Sequence, residues 1–199
     1  MGRKVNHLKR MKTLVFSLMA AAVLLGAGLA TAYTAGGRNA EALSGGSAAE
    51  SGDALINSSM ENSKVLFDSR VTDFDDTASV AKLLDLMKLE SAVGKYTVKI
   101  YSRDGSDIMS LDIENTVRES DKAGFDRIVE SYAQQLMALV EGIDEVEWTC
   151  PVFSDGSPEE SVTGSLSAAD ASEELGADIK SFGESSTEFH KLLMKQTES

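Results

Sequence analysis

The chain predicts an α+β domain, a small antiparallel sheet of three to four strands packed by helices, preceded by one N-terminal transmembrane helix and a flexible tether. Three observations carry this. An uncharged apolar run follows a basic N-terminus, a Gly/Ser-rich stretch comes next, and the remainder alternates between apolar periods of two and of about 3.6 residues.

Residues 1–12, MGRKVNHLKRMK, hold Arg3, Lys4, Lys9, Arg10 and Lys12 with no acid. Positive charge beside an apolar segment keeps that side in the cytoplasm, so the chain after Ala35 is expected to be exported. Residues 13–35 are read as a transmembrane anchor or uncleaved signal. Leu14 to Ala32 contains no charge and no cysteine, and its length approaches the roughly 20 residues that a helix needs to cross a hydrocarbon core. The lack of cysteine excludes the lipid-modified Cys of a bacterial lipoprotein. Ala30-Thr31-Ala32 also supplies an A-x-A-like cleavage site, so a secreted product is the alternative.

Setting aside the five basic residues of the N-terminus leaves 14 Lys and Arg against 32 acids, a net charge of −18 on the exported part. Nucleic acid is excluded as a partner, because phosphates need clustered Lys or Arg. The expected partners are the bilayer, through residues 13–35, and a membrane protein or cell-envelope ligand outside it.

Residues 36–63 are rich in Gly, Ser, Ala and Asn without apolar periodicity and read as a tether. A few helical turns around Ala40 to Leu43 or Leu55 to Met60 would bury little. Residues 64–199 are of single-domain size. With Cys150 the only cysteine, no intramolecular disulfide can form and the apolar core must carry the fold.

In this domain Asp75, Asp76 or Thr77 caps a helix with Val80, Leu83, Leu84 and Met87 on one face. Tyr96, Val98 and Ile100, then Met109, Leu111 and Ile113, alternate with polar residues. The break Arg103-Asp104-Gly105-Ser106 joins the two runs as an antiparallel hairpin. The strongest helix places Phe125, Ile128, Val129, Tyr132, Leu136, Leu139 and Val140 on one stripe and ends near Gly142. Val146, Trp148 and Cys150 form a half-buried strand whose pairing Pro151 weakens. Phe153 to Glu160 reads as a surface loop and Ser161 to Leu166 as a further short strand. Ser167 with Asp170 caps a helix over Ala168 to Leu175, stopped by Gly176. Ser185 with Glu188 forms a capping box before Phe189, Leu192 and Leu193.

Three blocks of this chain resemble successive parts of the DUF4825 domain. They are LFDSRVTDFDDTASVAKLLDLM (Leu66 to Met87), AQQLMALVEGIDEVEW (Ala133 to Trp148) and SAADASEELGADIKSFGESSTEFHKLL (Ser167 to Leu193). That domain occurs in stand-alone membrane-anchored bacterial proteins and as an extracytoplasmic tail of BlaR-type antirepressor metallopeptidases. The resemblance implies an accessory or sensory domain without its protease, and it supplies no ligand and no functional residues. Where the family has an aromatic and a Gly before an Asp-Asn pair, this chain has Asp73-Phe74-Asp75-Asp76. There is no H-E-x-x-H, and the two histidines, His7 and His190, cannot form a zinc site of that kind.

No catalytic, cofactor-binding or metal residue is assigned, and the domain is read as non-catalytic and without a cofactor. Ser79-Val80-Ala81-Lys82 matches the S-x-x-K of penicillin-binding proteins, but the K-T-G-like and S-D-N-like elements are absent, so a helix first turn is the better reading. Asp68, Asp73, Asp75 and Asp76 offer hard oxygen ligands without a calcium-loop spacing, and capping is favoured. His190 reads as a surface histidine, Cys150 as a packed thiol, and Trp148 as core or part of a ligand cleft. The rival to a binding module is a secreted hydrolase-like enzyme; His190 beside a serine and an oxyanion hole would favour it.

Overall fold

The structure, a computed structural model, describes residues 57–154 and 160–198. The expected basic N-terminus, the expected membrane segment 13–35 and most of the expected tether lie outside the described residues. Among the described residues no helix is long and apolar enough to cross a membrane.

The folded part opens with α1 (Met60–Asp68), which crosses the expected tether boundary at residue 63. Ser59 starts it by accepting the Asn62 N–H. Its Leu66 is buried in the core, so this helix contributes more than the sequence suggested. After it, Val71 is pinned to the end of the long helix by Val71 N–H to Leu139 O and Glu141 N–H to Val71 O, both 2.8 Å. Next comes α2 (Thr77–Leu86), where Asp76 Oδ1 accepts the Ser79 N–H and Val80, Leu83 and Leu84 face inward. A short α3 (Leu89–Val93) follows, which the sequence reading did not anticipate.

Strands β1 (Tyr96–Arg103) and β2 (Ser106–Ile113) pair antiparallel in the expected hairpin. Its two-residue turn has positive φ at both Asp104 (55°) and Gly105 (97°), the geometry whose twist matches that of the strands. Then come β3 (Val117–Arg118), α4 (Lys122–Leu139), β4 (Ile143–Phe153) and β5 (Glu160–Ser167). The chain closes with α5 (Ala168–Leu175), a 3-10 turn at Ile179–Gly183 and α6 (Ser186–Glu198).

The α+β class holds, but the sheet is mixed and five-stranded rather than antiparallel with three to four strands. β4 is central: β2 and then β3 run parallel to it on one side, and β5 runs antiparallel on the other. The reason lies in α4. At 1.5 Å per residue its 18 residues carry the chain back about 27 Å, so the next strand starts at the same end as β2 and runs parallel to it. Pro151 is accommodated inside β4 because it falls between the β2 ladder, which ends at Thr149, and the β3 ladder, which begins at Val152.

One face of the sheet packs on the helices. Met109, Leu111, Ile113, Val146 and Trp148 meet Leu136, Phe182, Phe189 and Leu192 in a single core. The opposite face carries Lys99, Tyr101, Arg103, Asp112, Glu145, Glu147, Thr149 and Thr163, linked by the Arg103–Glu147 ion pair at 2.8 Å, the Tyr101–Glu147 hydrogen bond and the Thr149–Thr163 hydroxyl pair. A sheet with one dry and one wet face needs this alternation.

Candidate functional site

The sequence candidates resolve into separate places. Ser79 donates its hydroxyl to Asp76 Oδ2 at 2.6 Å, so it is engaged with the cap and not with Lys82. These bonds from Ser79, side chain first and backbone second, hold the Asp76 carboxyl below the usual carboxylate value. Asp73 Oδ1 accepts the Asp75 N–H at 3.0 Å. Among the described residues no three metal-ligating side chains converge. Asp73, Asp75 and Asp76 make the turn and the cap that start α2, while Asp68 is the last residue of α1.

Cys150 is fully buried, and burial pushes its thiol pKa up, against the pull of Lys122. That combination suppresses the thiolate needed for reactivity. Trp148 is core rather than cleft: it is 2 % exposed, and its indole N–H donates to Asp126 Oδ1 at 3.0 Å. Its ring packs against Gly164 of β5, where a Cβ would sit 2.5 Å from the indole.

His190 does have a serine beside it. Ser63 Oγ and His190 Nδ1 are 3.1 Å apart, joining α1 to α6. Ser63 Oγ also lies 2.9 Å from Ser59 O; when it donates there His190 donates to it from Nδ1, and when it donates to His190 that nitrogen accepts. A general base requires the second of these arrangements. Ser63 is also fully buried, which keeps a substrate carbonyl away from it. The sequence reading missed Ser63 because it lies at the end of a segment read as tether.

An open groove of about 1170 Å³ runs between the start of α4, the β3 segment, α5 and α6. Its floor includes the half-buried Phe125 and Ile128 and the amides of Gln134 and Gln196, and its rim includes Arg118, Arg127, Glu130 and Glu174. Beneath it the amides form a directed chain. Gln135 Nε2 donates to Gln196 Oε1 at 3.0 Å, Gln196 Nε2 donates to Gln134 Oε1 and to Ser131 O, both at 2.8 Å, and Gln134 Nε2 donates to Glu174 Oε2 at 3.2 Å. Every buried side-chain polar atom among the described residues has a partner, so this chain fixes the amide orientations at the groove floor.

Glu130 sits in this groove at a cost. Partial burial raises its pKa above the usual carboxylate value, and the charges of Glu174 and Asp126 add to the rise. An ionisable group held in an unfavourable place within a concavity marks a candidate binding surface. The glutamines were invisible to the sequence reading because Gln is ordinarily a surface residue. The available signal was Gln134-Gln135 lying between Tyr132 and Leu136 of the apolar stripe.

No family model, no curated protein and no solved structure matches this chain.

Proposed function

We propose that this protein is a membrane-anchored, extracytoplasmic binding or sensing module without catalysis of its own, and that the groove along α4 is where its ligand or partner sits. The observation that carries the reading is the groove itself: the half-buried Phe125 and Ile128 held over a rigid, internally paired amide network, with charges of both signs on the rim. Such a surface recognises by apolar contact and by its rim charges. The anchor, Leu14 to Ala32 behind five basic residues, and the resemblance to the DUF4825 domain support placement outside the membrane with a membrane protein or envelope component as partner.

The Ser63–His190 contact favours one rival, a secreted hydrolase. A fluorophosphonate probe, which reacts with activated serines, separates the two when applied to the full chain. The binding-module reading predicts no labelling. Labelling at Ser63 that disappears in His190→Ala would establish the hydrolase instead.

A further inference from the structure

Among the described residues, the two outer edges of the sheet differ. The edge at β1 carries Lys99 and Arg103, and charged side chains are a common protection against unwanted strand pairing. The edge at β5 has no such guard. Over Glu160–Ser167 only the first residue is charged, there is no proline, and its register with β4 runs without a bulge. On the side away from β4, the β5 backbone makes no backbone hydrogen bond to any described residue. Seven consecutive uncharged residues, Ser161 to Ser167, thus offer a row of donors and acceptors.

We infer that the free edge of β5 accepts an extended, Lys- or Arg-bearing segment of a partner protein as an additional strand. Charge decides the occupant. Glu160 stands at one end of the edge, and the exposed Asp170 and Glu173 of α5 stand at the other, in a chain of net charge −13. A second copy paired antiparallel would bring Glu160 of each protomer to the Asp170 end of its partner, setting acid against acid at both ends. A basic strand meets the opposite sign at both ends, and the acidic surface steers its approach. Alternation then gives the incoming strand the exposed hydroxyls of Ser161, Thr163 and Ser165 on the wet face and Val162 toward the helices. The inference stands on the sheet edge and not on the groove.

Amide hydrogen exchange of the full chain in detergent micelles tests it with three synthetic peptides: alternating Val and Lys, the same peptide with alternate amides N-methylated, and alternating Val and Glu. With the Val/Lys peptide at about ten times its Kd, exchange of the outward-facing β5 amides, those that do not donate to β4, slows about tenfold. The N-methylated and Val/Glu peptides leave β5 unchanged. Equal protection by the N-methylated peptide, or no protection of β5 by the Val/Lys peptide, would overturn the inference. So would outward-facing β5 amides already protected without peptide, from a second copy if the protection grows with protein concentration and from the chain's own N-terminal segment if it does not.

Discussion

The indole N–H of Trp148 on β4 donates to Asp126 Oδ1 on α4 at 3.0 Å, while the other carboxylate oxygen of Asp126 receives Lys122 at 2.5 Å. One carboxylate therefore ties the central strand to the crossover helix and also forms an i,i+4 ion pair on that helix. Asp126→Ala is expected to cost about 1–3 kcal/mol, because it strands a buried donor. Asp126→Asn keeps a carbonyl acceptor and should cost less. Urea unfolding followed by Trp148 fluorescence measures both, and equal losses would mean that the pairing with Lys122 matters more than the indole bond.

Helix packing at the C-terminal end of α4 depends on Gly183. A Cβ there would lie 1.9 Å from the Ala138 carbonyl oxygen, a backbone atom that cannot swing aside. Gly183→Ala should destabilise by about 1–3 kcal/mol through overpacking. Gly124, inside α4 with open space around its Cβ position, is the contrast. Gly124→Ala should stabilise by up to about 1 kcal/mol through helix propensity. Thermal unfolding of the two variants in parallel checks the signs.

Lys180 turns its ammonium inward, donating to the carbonyl of Met137 at 3.0 Å and to that of Ile143, and so covers the end of α4. Burial lowers its pKa below the ordinary lysine value of 10.5, with Asp144, Asp178 and Glu141 opposing. Where the folded protein has released this proton, the unfolded chain still holds it, so stability should rise with pH as pH climbs toward 10.5. Tyr96 acts in the opposite sense. Burial first, then Asp85 and Glu90, push its pKa up to about 12, so its contribution is complete below pH 10 and is lost as pH rises toward 12. Urea midpoints across alkaline pH should therefore rise and then fall. Lys180→Met should remove the rise, and a variant that keeps it would assign the slope to another group.

Glu130 gives a sign test within the groove. Its raised folded-state pKa means that its favourable contribution is present below the unfolded value of 4.5 and is lost as pH rises through the folded value. Glu130→Gln should therefore be more stable than the parent at neutral pH, with the difference closing below pH 4.5. Chemical unfolding at the two pH values decides, and a destabilised variant at neutral pH would show that the carboxylate has a favourable partner there.

Local rules read much of this fold directly. The Asp104-Gly105 turn, the Asp76 cap, the Gly176 stop and the period-two pattern of Met109, Leu111 and Ile113 each depend on neighbours in sequence, and the structure has them where expected. Ser185 caps α6 as expected through the Glu188 N–H, although the Glu188 carboxylate turns to Lys191 instead of completing the box. What the sequence hid is tertiary. The direction of β4 depends on where α4 returns the chain, β3 is two residues long, and α1 is held by contacts with α6 across more than a hundred residues. The groove is hidden for the same reason, since Gln134, Gln135, Gln196 and Glu174 are a network only once three helices meet.

The central claim is that a binding domain is held at the outer side of a membrane by residues 13–35. Expressing the full chain with a C-terminal tag, then measuring apparent mass, partition between membrane and soluble fractions, and cleavage by added protease, tests it most directly. A full-length, membrane-bound product whose tagged domain is digested by external protease is the predicted result. Recovery of a soluble product shortened by about 32 residues, or a tagged domain protected from external protease, would contradict it.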